Sequence, residues 1–307
     1  MTLHAPSGHW RLGLALAITT ALCWATLPVA LKVSLEAVDA YTLTWFRFLV
    51  AALLLGALLG ARGRLRQFRS LSRRGWGMLA IAALGLIGNY LGYLLGLAYT
   101  TPANAQLLIQ LAPLLLAVGG VLVFRERLNL PQWAGYAAVA AGLLLFFVEQ
   151  RGRAAAPATY AFGGMLIVAA AATWAVYALV QKQLLQHLSS QAVMWAIYVA
   201  AAVLLLPLAS PAKLLAVDAW HWLAIAYCAL NTLVAYGAFA EALAHWEASR
   251  VSVILAMTPL LTVATVGACA AFVPGLVAPE RIGTLGWIGA LAVVAGSAAV
   301  SLLGSRS

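Results

Sequence analysis

The sequence predicts an all-α polytopic membrane protein with ten transmembrane helices, arranged as two inverted five-helix repeats. Three observations support this fold class. The chain has 307 residues, of which 64% are apolar and only 8% charged, a composition far from that of a soluble domain. Ten apolar stretches approach the roughly 20 residues that a helix needs to cross the hydrocarbon core. Landmarks of the first five stretches recur, in order, in the last five.

The ten spans are predicted to be helices, because open strands in lipid leave backbone amides unpaired and the sequence shows no alternating barrel pattern. The first span is longer than the apolar region of a cleaved signal peptide and has a counterpart later in the chain, so we expect it to be retained. The approximate limits of the spans are 11–32, 41–60, 76–98, 102–124, 131–149, 160–182, 190–209, 220–243, 249–272 and 283–304.

The distribution of positive charge predicts the orientation. An even number of spans puts both termini on one side, and assigning that side to the cytoplasm places twelve Lys and Arg residues there against five on the other side. The positive-inside rule therefore favours cytoplasmic termini. The same topology explains the net charge of +10, since six arginines between residues 62 and 74 fall in one cytoplasmic loop. We expect no nucleic-acid partner.

The repeat is visible in short matching segments. Residues 126–135 read ERLNLPQWAG and residues 280–289 read ERIGTLGWIG, 154 positions apart. An insertion, PGLVAPE at 274–280, absorbs the difference between this offset and those of the other landmarks. Trp24, Lys32 and Trp45 match Trp174, Lys182 and Trp195 at an offset of 150, and Trp76, Tyr90 and Pro113 match Trp222, Tyr236 and Pro259 at 146. The matches predict repeat units at residues 1–150 and 155–307.

The number of spans in each unit bears on function. Because five is odd, the second unit enters the membrane from the opposite face, so the two units form an inverted repeat. Such units can exchange conformations around a site at their interface, which predicts alternating-access transport. Gene duplication inside a static scaffold or pore is the other interpretation that the pattern allows.

The ten spans in two units, the proline in spans four and nine, and the ER...W..G segment at the start of spans five and ten resemble the EamA-type branch of the drug/metabolite transporter superfamily. Within it, the chain is similar to the YddG-like aromatic amino-acid exporters. The resemblance implies a bacterial inner-membrane protein that exports small organic solutes, above all amino acids including aromatic ones. It also implies a cavity formed chiefly by spans one, three, four, six, eight and nine, with spans five and ten more peripheral.

Polar side chains inside the spans are candidate substrate ligands, because a lone polar group in lipid is costly and must face protein, water or ligand. Asn89 and Tyr93 share one face of span three, beside a stripe of glycines at 88, 92 and 96 that lets a neighbouring helix approach. Gln106 and Gln110 precede Pro113, whose missing N–H leaves a backbone carbonyl without its helical donor. Interhelical hydrogen bonds and a simple proline kink explain the same residues without a ligand.

Aromatic residues supply a second group of candidates. Trp24 and Trp174 occupy corresponding positions deep in spans one and six, and Tyr177 follows on the same face as Trp174. Their rings could stack on a substrate or engage a cation, whereas packing is the alternative role. Span eight adds the substrate-binding candidates Tyr227, Asn231 and Tyr236.

Gating or coupling candidates are Pro113, its counterpart Pro259, and the pair Glu241 and His245 near the end of span eight. Glu241 is the carboxylate placed inside a span, and a solvated helix end is its other interpretation. The first span has no carboxylate, so we expect downhill facilitated export rather than tight proton coupling. We expect Arg47, about two turns into span two, to snorkel to the outer headgroups, with carboxylate pairing as the alternative.

Other functional classes find little support. The sequence has no HExxH or GxSxG motif and no buried Asp pair, so we do not expect an enzyme. Its three cysteines lie in apolar segments without metal-ligand spacing, and we expect no metal or other cofactor. A channel stays open as an interpretation. Purine-like metabolites or cationic drugs, with proton coupling, are the alternative cargo, and the oligomeric state is left open, a monomer included.

Overall fold

The computed structural model describes residues 9–124, 128–246, 248–273, 275–278 and 280–303. These residues form twelve α-helices and two 3-10 helices, Arg64–Ser70 and Pro211–Ala216, and contain no β-strand. The α-helices are α1 (Trp10–Ala37), α2 (Ala40–Ala61), α3 (Arg73–Tyr99), α4 (Pro102–Leu108), α5 (Leu111–Phe124), α6 (Leu130–Arg153), α7 (Pro157–Leu184), α8 (Ser190–Leu205), α9 (Ala219–His245), α10 (Ala248–Ala256), α11 (Thr258–Phe272) and α12 (Thr284–Leu303).

Eight segments of the described chain are long and apolar enough to cross a membrane, and two apolar helices, α8 and the 284–300 part of α12, are shorter. Together they correspond to the ten predicted spans. The prediction of an all-α polytopic membrane protein is confirmed. Short polar caps mark the connections: the Asp39 carboxylate accepts the Thr42 N–H at 2.9 Å where α2 begins, which satisfies one of the open donors of the first turn.

Spans four and nine are each built from two helices. Pro113 lies in the first turn of α5 and Pro259 in the first turn of α11, where a missing N–H removes no helical hydrogen bond. The carbonyl that Pro113 was expected to leave open belongs to Ile109, and it accepts the Ala112 N–H at 2.9 Å. That expectation is therefore wrong, because a 3-10-type turn at the break supplies the donor.

Helix packing follows a pseudo-two-fold exchange between the first five spans and the last five. Helix α1 packs along α9, and its counterpart α7 packs along α3. In the same way α5 packs on α7 while α11 packs on α1, and α2 pairs with α8 as α6 pairs with α12. An inverted repeat produces this pattern, since exchanging the units maps each contact onto another.

Glycines bring the backbones of α6 and α12 into direct contact. A Cβ atom at Gly142 would lie 2.5 Å from the carbonyl oxygen of Gly289, and one at Gly135 would lie 2.8 Å from that of Gly296. Residue numbers rise along α6 as they fall along α12, so the helices run antiparallel. At the repeat offset of 154, Gly135 corresponds to Gly289 and Gly142 to Gly296, so the two contacts exchange under the pseudo-symmetry.

The glycine stripe of α3 makes the equivalent close contact with α7. A Cβ atom at Gly96 would lie 2.7 Å from the carbonyl oxygen of Gly163, and one at Gly92 would lie 3.2 Å from that of Leu166. Small residues allow such approach in lipid, where van der Waals packing replaces the hydrophobic effect as the force between helices. Antiparallel small-residue contacts thus join the two units at two separate seams.

We predict that Gly142→Ala lowers the unfolding temperature in detergent, because the added methyl group meets backbone atoms of α12 that cannot rotate away; such overpacking costs about 1–3 kcal/mol. Gly267→Ala in α11 is the matched control, since an added Cβ there meets nothing within 4 Å and alanine favours helix. Thermal unfolding followed by tryptophan fluorescence measures both. Equal effects of the two substitutions would contradict the backbone contact.

Candidate functional site

A cavity of about 980 Å³ lies among the helices of both units. Every transmembrane helix of the described chain except α8 contributes to its lining. Gln132 at the start of α6, Leu185 at the end of α7 and Val300 near the end of α12 all border it. The cavity therefore reaches the end of the bundle at which α1 begins and α12 ends, which we call the open end. The opposite end is called the closed end.

Both helix breaks border this cavity. Ile109 and Gln110 line it from the break between α4 and α5, and Ala256 and Thr258 line it from the break between α10 and α11. Non-helical backbone at membrane depth is tolerated where it is buried in protein or faces a water-filled space. The breaks thus bring backbone and side-chain polar groups of both units to one cavity.

Aromatic rings form part of the wall. The ring of Trp24 on α1 lies 5.6 Å from that of Tyr236 and 5.8 Å from that of Phe239, both on α9. Trp174 lines the cavity from the corresponding position of α7. Flat, largely apolar surfaces from both units therefore face the same space, and the Trp24–Tyr236 pair has the edge-to-face geometry that aromatic pairs prefer.

The amide side chains of the cavity are held by contacts between helices. The Tyr93 hydroxyl donates to Gln106 Oε1 at 3.3 Å. Asn89 Nδ2 donates to a carbonyl of α7 at 3.0 Å, and Asn231 Nδ2 donates to a carbonyl of α1 at 2.9 Å. Interhelical bonding and exposure to the cavity, which the sequence offered as alternatives for Asn89, thus coexist.

Nine of the predicted site residues line the cavity, and five lie elsewhere. The Tyr177 hydroxyl donates to Met194 Sδ at 3.1 Å in a buried cluster. Tyr227 is about one-third exposed, and its hydroxyl accepts from Asn231 Nδ2 at 3.1 Å. Pro259 is buried in the first turn of α11. The nine lining residues are Trp24, Asn89, Tyr93, Gln106, Gln110, Pro113, Trp174, Asn231 and Tyr236.

Glu241 and His245 are the other two residues outside the lining. Glu241 Oε1 and His245 Nε2 lie 3.2 Å apart, one turn from each other along the last part of α9. The Glu241 side chain is 62% exposed. The pair thus stands at the open end of the bundle, beside the cavity rather than within it.

Sequence reasoning missed Arg47. The expectation that it snorkels to the headgroups is wrong, because its side chain is only 4% exposed and lines the cavity. Its Nε donates to the Cys228 carbonyl at 3.2 Å and to Thr232 Oγ1 at 3.3 Å, and its guanidinium lies 4.8 Å from the ring centroid of Tyr90. None of the described carboxylates pairs with it. The sole signal in the sequence was a cation two turns into a span.

Spans five and ten also contribute more to the cavity than the family resemblance implied. Gln132, Tyr136 and Val139 line it from α6, and Ser297 and Val300 line it from α12. The α6–α12 pair flanks the cavity towards the open end, so these two spans are not peripheral there. Hydropathy identified both spans but carries no information on which face of each helix turns inward.

The closed end is held together by charged groups at helix ends. Lys32 Nζ donates to the carbonyls of Leu97, Ala98 and Thr100, at 2.7 to 3.1 Å, where α3 ends. A cation at this position compensates both the unpaired carbonyls and the negative end of the helix dipole. Span one is thereby attached to the end of span three.

Two carboxylates at the closed end join one unit to the other. Glu280 accepts the Ala103 N–H at 3.0 Å in the first turn of α4. Glu149, at the end of α6, accepts the N–H groups of Gly283 and Gly286 where α12 begins. Both use the positive end of a helix dipole. The counterparts of Glu280 and Arg281 in the first repeat, Glu126 and Arg127, lie outside the described residues.

Glu280 is one of the carboxylates at this end whose titration the fold perturbs. Burial raises the pKa of Glu280 above its ordinary value, and the Ala103 N–H and Lys32 offset this only in part. Its second oxygen, Oε2, is buried and has no hydrogen-bond partner among the residues that the structure describes. The other titratable groups bordering the same part of the closed end are Lys32, Tyr99, Arg153, Tyr160 and Arg281.

Membrane transporters commonly enclose a cavity between symmetry-related units and bound it with broken helices. The cavity of this protein has the same arrangement. The chain belongs to the EamA-like transporter family, whose sequence profile matches residues 11–148 and again residues 161–302. The resemblance inferred from the sequence is thereby confirmed at the level of the family.

Curated relatives agree with this assignment. The chain is 36% identical over 297 residues to the protein named "uncharacterized inner membrane transporter YhbE" in Escherichia coli K12, covering 96% of this chain and 92% of the relative. It is 35% identical over 295 residues to an "uncharacterized transporter" of Haemophilus influenzae, covering 96% of both chains. The chain is therefore a multi-pass inner-membrane transporter.

The fold also matches a solved structure. One crystal structure superimposes with a TM-score of 0.64 at 22% sequence identity, covering 98% of this chain and 99% of the other. At that identity the match supports the fold alone. It extends over both units.

We predict that Glu280→Gln raises the unfolding temperature above that of the unsubstituted protein, and that this difference grows as pH increases. With a raised folded-state pKa, protonated Glu280 supports the fold below the ordinary pKa, and this support is lost as pH rises through the raised one. The two unfolding temperatures should therefore converge at low pH and separate towards neutral pH.

Thermal unfolding across this pH range measures the difference. Glu36→Gln, which removes an exposed carboxylate near the same end, controls for the loss of one negative charge. A Glu280→Gln effect that is the same at every pH would contradict the role of burial.

Proposed function

We propose that this transporter works by alternating access and exports small organic solutes, above all amino acids including aromatic ones, by downhill facilitated transport. The observation that carries the proposal is the cavity itself. It combines large rings at equivalent positions of the two units, Trp24 and Trp174, with amides from Asn89, Gln106 and Asn231. Its volume of about 980 Å³ lies at the upper end of small-molecule sites, which range over about 300–1,000 Å³.

The chemistry of the lining suits an amphipathic solute with one flat apolar part. The rings of Trp24, Tyr236 and Phe239 offer a stacking surface, and an aromatic pair adds about 0.5–1.5 kcal/mol beyond area burial. Amides supply both donors and acceptors, which match the two charged ends of a zwitterion. Neither property requires chemical conversion of the cargo.

The orientation of the open end supports export. Six arginines between residues 62 and 74 lie in the connection from α2 to α3 and in the first turn of α3, at the same end of the bundle as the start of α1. The positive-inside rule places this end in the cytoplasm. The described conformation is then open to the cytoplasm and ready to load solute from it.

The pseudo-symmetry supplies the second conformation. Lys32 binds the last carbonyls of α3 at the closed end, while its repeat counterpart Lys182 borders the cavity at the open end. Helix α9 is the counterpart of α3. In the outward-facing state, Lys182 takes the position at the end of α9 that Lys32 now holds at the end of α3, and Lys32 releases its own carbonyls.

The absence of a carboxylate from the lining among the described residues supports uncoupled transport. A proton-coupled carrier needs a titratable group whose protonation state changes with cargo binding, and intramembrane carboxylates are the usual choice. Glu241 follows the lining residue Phe239 by two positions on α9, and its side chain is 62% exposed beside the open end.

We predict saturable uptake of labelled phenylalanine into proteoliposomes, with no accumulation when a pH gradient is imposed. Trp174→Ala should raise KM by roughly tenfold, since removal of an aromatic side chain that stacks on a flat ligand costs about 1–3 kcal/mol where the ligand is a nucleobase. Trp220→Ala is the matched control, because this tryptophan is 52% exposed at the start of α9.

The alternatives give distinct results in the same assay. Flux that rises without saturation indicates a pore. Accumulation of phenylalanine against its own concentration gradient, when a pH difference is imposed, indicates proton coupling. Transport of adenine or a quaternary amine in place of phenylalanine supports the alternative cargo, and equal KM values for both tryptophan variants remove Trp174 from the binding site.

A further inference from the structure

We propose that Arg47 is an anion-binding subsite of the cavity, so that the solutes carried must bear a carboxylate. The inference rests on the proposed transport function and narrows its substrate class. It assigns a binding role to a helix, α2, that the family resemblance places outside the cavity.

The first support is the electrostatic situation of Arg47. A guanidinium that is 4% exposed within a membrane helix is stable only where dipoles, water or a counter-charge compensate it. None of the described carboxylates lines the cavity or pairs with Arg47. Arg47 thus places a permanent positive charge at the wall of the cavity, and the described residues supply no counter-ion for it.

The second support is the way in which the side chain is held. Its Nε is fixed to α9 by the Cys228 carbonyl and Thr232 Oγ1. Its Cζ lies 4.8 Å from the ring centroid of Tyr90, which packs in turn on Phe48 at a centroid distance of 4.6 Å. Of the three guanidinium nitrogens, the hydrogen bonds to α9 use Nε. They hold the group in place before a solute arrives, which lowers the entropy lost on binding.

The two terminal nitrogens of Arg47 are what remains for a ligand. They have no hydrogen-bond partner among the described residues, yet they are not enclosed in protein, and the residue borders the cavity. Two parallel N–H groups in a fixed fork match the two oxygens of a carboxylate, which is the bidentate geometry that arginine provides and lysine does not.

The neighbours of Arg47 place the rest of the solute. Asn231 adjoins Thr232 on α9 and lines the cavity, while its Oδ1 is buried and has no hydrogen-bond partner in the described part of the chain. Tyr236 lies about one turn further along α9 and contacts Trp24. A carboxylate on Arg47 therefore puts an adjacent ammonium group near Asn231 and an aromatic side chain towards the rings.

The same charge excludes cations. Arg47 and Lys182 both border the cavity, and the described lining holds no carboxylate to attract an amine. An amine without a carboxylate would bring a further positive charge near Arg47 into a low-dielectric space and gain no carboxylate partner from the described lining. The subsite thus disfavours cationic drugs, one of the two alternative cargoes.

The test compares phenylalanine with phenylalaninamide and phenethylamine as competitors of labelled phenylalanine in proteoliposomes. For the unsubstituted protein we expect the amide and the amine to bind on the order of 30-fold more weakly or worse, as for loss of one partner of a buried charge pair. Arg47→Gln should weaken phenylalanine by a similar factor and abolish the preference for the acid over the amide. Arg47→Lys should restore part of that preference.

Arg69→Gln, in the 3-10 helix Arg64–Ser70, is the control for loss of a positive charge outside the cavity, and it should leave the preference intact. The comparison of ligands on the unsubstituted protein needs no variant, so it decides the matter even if Arg47→Gln does not fold. Transport of all three compounds with equal affinity overturns the subsite but leaves the carrier in place. Absence of any phenylalanine transport overturns the proposed function itself.

Discussion

The hydrocarbon core offers no hydrogen-bond partner, and most features of this structure follow from that constraint. Ten segments satisfy their backbone groups as helices, and the two that break do so where protein or the cavity meets them. At the first break, the Ile109 carbonyl finds a donor in Ala112 within a 3-10-type turn. Side chains obey the same rule: Asn89, Gln106 and Asn231 all bond across helices while bordering the cavity. The polar groups of the site thus bond across helices or face the cavity because the hydrocarbon core offers them no hydrogen-bond partner.

Packing without a hydrophobic driving force explains the frame around that site. Gly142 against Gly289, and Gly96 against Gly163, bring backbones together at two seams between the units. The repeat maps the α6–α12 seam onto itself, whereas it maps the α3–α7 seam onto the pair α1 and α9. Charged groups at helix ends, Lys32 at α3 and Glu280 at α4, provide contacts that can be exchanged for equivalent ones at the other end.

The sequence carried the span number, the helical class and the broad location of many polar residues, because hydropathy and internal matches encode these directly. It did not show which face of a helix turns inward. Tyr177 shares a helix face with Trp174, yet its hydroxyl bonds Met194 in a buried cluster outside the cavity. Arg47 was assigned to the headgroups because a lone cation in a span gives no sign of Tyr90 or Thr232, which only the packing of α2 on α3 and α9 brings within reach. Likewise, a proline predicts that the helix is interrupted, but it does not predict the 3-10-type turn in which Ala112 donates to the Ile109 carbonyl.

Alternating access requires the open end and the closed end of the bundle to open in turn. Pulsed electron paramagnetic resonance can measure this directly, with one spin-label pair at Tyr99 and Ala278 on the closed end and another at Leu130 and Leu185 on the open end, each in a background without the native cysteines. On addition of cargo, the account predicts a population in which the first distance lengthens while the second shortens. Two distances that lengthen together, or that stay unchanged when cargo is added, would contradict alternating access around the central cavity.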